Sequence, residues 1–271
     1  MQSSFIGLSP SQVESLRSAD PAIEAIRAHA ASGQDISFAW LRGQFGKDTG
    51  NWGTIDRGRA ILGSTDQLSQ YLYTHGLMIE SQWENVLASF VHDGSQLRIV
   101  DYGCGQGLAG VFLAGAGANN AVRSARTIVL VEPSPIALTR AEAVYRALAP
   151  ESEITCLCKA FDDVSKNDLA YDGEVKSLHL FSNVLDVNGY DRFGLLSKAL
   201  TVGGHTILAV SHDRDHDGGS ERIHSLDRAL NDPSLQNCVK IGRSNIIKFN
   251  CNNTNKSAAI YWHCDLDIRN G

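Results

Sequence analysis

The stretch Val100-Asp101-Tyr102-Gly103-Cys104-Gly105-Gln106-Gly107 constrains this chain more than any other. An apolar run ends in an acid, and glycines at every second position then lead into a segment of helical composition. Glycines at that spacing let the backbone turn sharply and meet a ligand with no Cβ in the way. The helix start that follows offers unpaired N–H groups and a positive dipole end to a negative group. Asp101 adds a carboxylate beside the turn, which suits a ligand carrying a cationic amine.

The surrounding pattern tells what this turn belongs to. Short apolar runs at 97–103, 127–133, 154–160, 177–183 and 205–211 alternate with helix-like segments at 107–118, 135–149 and 191–200. Strands apolar on both faces, alternating with helices, predict a parallel sheet covered on both sides. The runs at 238–250 and 256–268, joined by Asn252-Asn253-Thr254-Asn255, predict an antiparallel hairpin. Residues 1–95 read as mostly helical. Ser9-Pro10 opens one helix, Ile23, Ile26 and Ala30 repeat at helical spacing, and 43–53 is a Gly-rich loop. A second helical block follows it, opened by 64–67 over 68–75 and continued by 81–91. The expected architecture is α/β: a doubly wound, seven-stranded, mostly parallel sheet with an antiparallel C-terminal hairpin over 96–271. An N-terminal helical cap occupies 1–95.

Composition removes several classes. Thirty acidic against 24 basic residues give a net charge of −6, so no polyanionic partner is advertised. The one basic-aromatic stretch, Arg42, Lys47, Arg57 and Arg59 with Phe45 and Trp52, sits in an acidic N-terminal part and reads as a solvated loop. The run at 108–118 is too short and too rich in Gly and Ala to span a bilayer. Residues 1–16 lack a basic region and a long apolar run, so no secretory signal is expected. A cytoplasmic setting keeps thiols reduced, and Cys104, Cys156, Cys158, Cys238, Cys251 and Cys264 read as structural rather than disulfide-bonded or zinc-binding.

Asp101, Gly103, Gly105 and Gly107 together resemble the first motif of the class I S-adenosylmethionine-dependent methyltransferases, with a Rossmann-like fold. Glu132, in Val131-Glu132-Pro133, stands where that family ends its second strand with an acid. A carboxylate there can accept from both hydroxyls of a ribose. The resemblance covers about 97–271, hairpin included. It implies S-adenosyl-L-methionine as cofactor, S-adenosyl-L-homocysteine as product, and methyl transfer as the reaction. It further implies an adenine contact from the region of Ala160, Phe161 and Asp162, although Asp162 and Asp163 equally suit a helix start. Ser182 would meet the methionine part, and Asn183 and Asp186 are the candidate catalytic residues toward the acceptor. Tyr71 or Tyr73 would shield the sulfonium, and Tyr73 is the candidate retained.

Two other readings compete. Gly105-Gln106-Gly107-Leu108-Ala109-Gly110 is a literal G-x-G-x-x-G, so an NAD(P)-dependent oxidoreductase using that loop is the first alternative. Asp101 would repel its pyrophosphate, and Glu132 lies 27 residues beyond Gly105 where about 20 are expected. The second alternative is a catalytically silent methyltransferase-like binding module, since no unmistakable acid–base set is present. His212 and His216 have metal-ligand spacing but lie in a Gly-rich loop, so no metal is expected. The fourth-strand segment lacks the Asn/Asp-Pro-Pro-Tyr/Phe pattern of amino-methylating nucleic-acid enzymes. That absence counts against DNA adenine or cytosine-N4 methylation, and the acidic balance favours a small-molecule or protein acceptor over nucleic acid.

Overall fold

The five apolar runs form the middle of one sheet. β2 (Leu97–Tyr102), β3 (Ala125–Val131), β4 (Glu153–Leu157), β5 (Lys176–Ser182) and β6 (Gly203–His212) lie parallel in the order β4-β3-β2-β5-β6. The chain runs outward from β2 to β4, then crosses back to β5, so the winding reverses between β2 and β5. Open α/β sheets bind ligands at the carboxyl ends of their strands beside such a reversal. The hairpin closes the far side: β8 (Ala258–Ile268) pairs antiparallel with β6 and with the edge strand β7 (Val239–Asn250).

The computed structural model describes residues 3–115, 120–171, 175–214, 219–252 and 255–270. Part of the expected helix at 107–118 and Asn253 and Thr254 of the hairpin connection lie outside them. So do His216 with its neighbours Asp215 and Asp217, and the side chain of Arg57.

The seven expected strands are joined by an eighth. β1 (Ser4–Ile6) pairs parallel with β4 at the other edge. Residues 1–95 otherwise supply helices: α1 (Pro10–Ala19), α2 (Pro21–Ala31), α3 (Phe38–Phe45) and the 24-residue α4 (Thr65–Ala88). Ser9 caps α1 in a capping box with Gln12, and Asp20 caps α2, each just before a proline that tolerates the first helical turn. The second helical block is one helix through Gly76, where a Cβ would meet the Phe38 ring at 3.1 Å, so the glycine makes room for α3.

α5 (Leu108–Leu113), α6 (Pro135–Leu148), α7 (Lys166–Leu169), α8 (Arg192–Ala199) and α9 (Gly219–Leu230) follow the strands. Side chains alternate across the sheet as strand geometry requires. Ile99, Ile128, Leu130 and Leu180 face a core shared with Ile23, Ile26, Phe38, Leu72 and Trp83 from the N-terminal helices. Val100, Val129, Val131 and Phe181 face the other core, with α8 and α9. Among the described residues, no helix is long and apolar enough to cross a membrane. All six cysteines are free thiols.

A polar chain runs through the second core. The Tyr102 hydroxyl lies 3.2 Å from His179 Nδ1, His179 Nε2 lies 2.9 Å from His205 Nδ1, and His205 Nε2 lies 2.7 Å from the Thr201 carbonyl. That carbonyl can only accept, so His205 carries its proton on Nε2 and accepts at Nδ1. His179 then donates from Nε2, and Tyr102 donates to it. Burial, with His205 and Arg98 nearby, holds His179 well below the usual imidazole range, so the chain is neutral.

Candidate functional site

The glycine turn leaves β2 at the reversal point. Gly103, Gly105 and Gly107 have φ of 63°, 51° and 83°, a region that L side chains rarely adopt. Their surroundings differ. A Cβ on Gly103 would strike Val184 at 2.3 Å, and one on Gly107 would press on α6 at Ala141, 3.2 Å away. A Cβ on Gly105 would meet nothing within 4 Å, so its backbone faces open space. The N–H groups of Gly103 and Cys104 donate to the Val131 carbonyl at 2.7 and 3.1 Å, tying the turn to the end of β3.

Glu132 follows β3 directly. Its Oε2 accepts from the Gly105 N–H at 3.0 Å and its Oε1 from the Ser134 N–H at 2.9 Å. A carboxylate has about four acceptor positions, so two stay open. Burial pushes its pKa up to about 7, against the pull of those two N–H groups.

Asp101 lies beneath the turn. Its Oδ2 accepts from the Tyr145 hydroxyl at 2.8 Å, while Oδ1 is enclosed with no hydrogen-bond partner. Burial drives its pKa to about 7. The Tyr145 bond opposes that rise and Glu132 adds to it. Tyr145 reaches Asp101 by passing over Gly110, where a Cβ would stand 2.5 Å from its ring. The final glycine of the G-x-G-x-x-G string is therefore accounted for by helix packing.

Above the turn lies a cavity of ≈ 270 Å³. Of the residues singled out from sequence, Gly103, Gly105, Glu132, Ala160, Phe161, Asp162, Ser182 and Asn183 line it. Asp101, Gly107, Asp186 and Tyr73 do not. Tyr73 is 45% exposed, with Arg42 over its ring, and Tyr71 takes the wall position instead. Asp186 is buried in the turn after β5. Ala160 precedes a 3-10 turn over Phe161–Asp163, Phe161 packs on Tyr190 with ring centroids 4.7 Å apart, and Asp162 accepts from the Asp191 N–H at 2.9 Å.

The end of β5 is clamped by α4. Asn183, at φ 56°, gives and takes a carboxamide hydrogen bond with Gln82 at 2.7 and 3.1 Å, and the Trp83 N–H donates to Ser182 Oγ at 3.0 Å. Both side chains are therefore held in place from behind. A second network fixes the glycine turn. Arg140 grips the buried Asp20 through Nε and Nη2 at 2.7 and 2.9 Å and gives Nη1 to Gln106 Oε1 at 2.7 Å. Gln106 then donates to the Leu68 carbonyl at 2.9 Å.

The wall formed by Gly58, Arg59, Ala60, Ile61 and Leu62 was not apparent in the sequence, where Arg59 looked solvated. This segment is pinned by buried Ile55 and Leu62, by the Ser134 hydroxyl on the Leu62 carbonyl, and by Gln67, which accepts from the Gly63 N–H at 2.7 Å. The signal available was Gly58 itself, which has φ 91° and abuts Tyr71.

These residues fit an adenosyl ligand with a cationic amine. Gly105 leaves an open cradle, Glu132 has acceptor capacity on the cavity wall, and Asp101 keeps an unpartnered oxygen under the turn. Among the described residues no cluster of His, Cys, Asp and Glu could hold a metal ion.

No family model and no curated protein matches the chain. Solved structures do. A Leishmania major SAM-dependent methyltransferase is 14% identical, with 78% of this chain and 81% of that one covered and a TM-score of 0.42. M. jannaschii TYW2, solved with AdoMet, is 12% identical over 75% and 81% of the two chains, with a TM-score of 0.46. M. capricolum TrmK, solved with S-adenosyl-homocysteine, is 12% identical over 69% and 67%, with a TM-score of 0.40. These likenesses are remote, and the chemistry of the cleft is read from its own residues.

Proposed function

We propose that this chain transfers a methyl group from S-adenosylmethionine to a small-molecule or protein acceptor in the cytoplasm, with residues 1–95 forming a helical cap on a cofactor-binding part at 96–271. The observation that carries this reading is Glu132. It places a carboxylate with spare acceptor capacity on the cavity wall, next to the uncovered backbone of Gly105 and at the winding reversal. The two carboxyls grouped at the turn favour a ribose and an amine over the pyrophosphate of a nicotinamide dinucleotide.

When bound, S-adenosylmethionine supplies an electrophilic methyl on a sulfonium. The protein's part is alignment for in-line displacement. Gly103 and Gly105 keep the turn close to the ligand, and Glu132 accepts from the ribose hydroxyls. Phe161 and Ala160 wall the adenine side, with Asp162 nearby. Asp101, buried beneath the turn, would supply a carboxylate to the amine, whose positive charge favours its ionised form. Ser182 and Asn183, locked by Trp83 and Gln82, shape the passage to the acceptor. Tyr71, on the cavity wall, would offer an aromatic face to the sulfonium.

Calorimetric titration with S-adenosylmethionine, S-adenosylhomocysteine and NADH tests the reading, on wild type and Glu132→Ala. Micromolar binding of the first two is expected, weakened about 10- to 100-fold by the substitution, the worth of hydrogen bonds to a charged group. Binding of NADH alone refutes it, and binding of none of the three points to a silent module.

A further inference from the structure

One wall of the cavity is built by the short segment that follows β5. It starts at Asn183, with φ 56°, and turns again at Gly189, with φ 90°. Between these two left-handed residues, Val184, Val187 and Asn188 line the cavity. A turn holds the segment locally, with the Val187 N–H donating to the Val184 carbonyl at 3.2 Å. The Leu185 and Val187 carbonyls are satisfied from another element, α9.

Ile223, Leu226 and Leu230 of α9 are buried in the second core, which fixes that helix on the sheet. Arg222 stands next to Ile223 and reaches the wall. Its Nη1 gives its two hydrogens to the Leu185 and Val187 carbonyls at 2.8 and 2.9 Å, and Nη2 donates to Asn188 Oδ1. One planar fork with fixed donor angles thus grips acceptors on Leu185, Val187 and Asn188.

The wall bears on both sides of the cleft. Val184 lies against the glycine turn, where a Cβ on Gly103 would come within 2.3 Å of its Cγ1. The Tyr190 hydroxyl donates to the Val184 carbonyl at 3.1 Å, and its ring packs on Phe161. Asp162 in turn accepts from the Asp191 N–H at 2.9 Å. Arg222 itself lies behind this wall, outside the cavity lining.

We infer that Arg222 is a positioning residue for the cofactor: it fixes the wall over 184–190 from behind, and through Val184 and Tyr190 it sets how Gly103 and Phe161 meet S-adenosylmethionine. This rests on the methyl-transfer reading and deepens it. The fork, rather than the charge, does the positioning. The charge also opposes the rise that burial imposes on the Asp186 carboxyl, and Arg222→Lys keeps it while losing the fork.

Amide hydrogen exchange on the full chain reads the wall without any ligand. In Arg222→Ala the hydrogen-bonded N–H groups of Val187 and Asp191 should exchange about 10-fold faster than in wild type, with β2 and β3 unchanged. Arg228→Ala, in the same helix and paired with Glu221, should leave them as they are. Calorimetry with S-adenosylhomocysteine, well below the melting temperature of each variant, reads the consequence. Affinity should fall about 10-fold in Arg222→Ala and by most of that in Arg222→Lys. Millimolar ethylguanidinium should restore binding to Arg222→Ala, and ethylammonium should not. Unchanged exchange at Val187 and Asp191, full affinity in Arg222→Lys, or equal rescue by the two cations overturns the inference. Should Arg222→Ala fail to fold, Arg222→Lys and Arg222→Gln carry the exchange and affinity comparisons. If wild type does not bind S-adenosylhomocysteine, the methyl-transfer reading fails, and the exchange comparison still decides whether Arg222 holds the wall.

Discussion

The Tyr145 hydroxyl, 2.8 Å from Asp101 Oδ2, is the one hydrogen-bond donor that the buried Asp101 side chain has among the described residues. The acid that ends β2 is thus half satisfied by α6 and half left open beneath the glycine turn. Burial raises its pKa from 3.8 to about 7 in the folded chain. Between those values the native state holds a proton that the unfolded chain has lost. The associated stability is complete below the unfolded pKa and drains away as pH rises through about 7. Asp101→Asn should therefore gain on wild type from pH 5 to pH 8, by at most about 1.4 kcal/mol per pH unit. Urea unfolding of both proteins at the two pH values measures it, and a difference flat in pH would show that the carboxyl is not desolvated.

Glu132 makes a related claim about binding. Its pKa stands at about 7, and a ribose diol donates hydrogen bonds that favour the ionised form. Affinity for S-adenosylhomocysteine should rise as pH goes from 6 to 8. In Glu132→Gln the rise should shrink to whatever Asp101 contributes. Calorimetry across that range is the check.

Two glycines of the same string should respond differently to alanine. Gly110→Ala drives a methyl group into the Tyr145 ring and should destabilise the fold by roughly 1–3 kcal/mol, as overpacking does. Gly105→Ala has open space around its methyl and costs about 1–2 kcal/mol of left-handed strain. Its larger effect should fall on S-adenosylhomocysteine affinity, because that methyl enters the cavity. Thermal melts and titrations of both variants separate packing from ligand approach.

The Asp20–Arg140 pair predicts a different kind of failure. Both side chains are almost fully buried, so Asp20→Ala strands a guanidinium and also removes the cap of α2. A loss of about 3–5 kcal/mol is expected. Arg140 also holds Gln106, so affinity for S-adenosylhomocysteine should fall in protein that remains folded at low temperature.

What was legible in the sequence was what local pattern controls. Runs apolar on both faces gave five parallel strands, each end within three residues, and Asn-rich punctuation gave the hairpin. Spaced glycines and Glu132 gave the floor of the cavity. What stayed hidden depends on distant partners. β1 is three residues long and exists because β4 offers it an edge, which no periodicity announces. Tyr71 and Tyr73 are indistinguishable in sequence, and only the rotation of α4 puts the first on the cavity wall and the second in solvent. Arg59 looked solvated because its surroundings, Ile55, Gly58 and Tyr71, are assembled by tertiary packing.

α4 has a further consequence. Tyr71 and Gln82 stand eleven residues apart on one unbroken helix, roughly 16 Å along its axis. One forms the cavity wall, and the other is bolted to Asn183 at the end of β5. The two ends of the cleft thus belong to a single stiff frame. Little of this scaffold is left for a ligand to order, so the entropic penalty of arranging the site falls on folding rather than on each encounter.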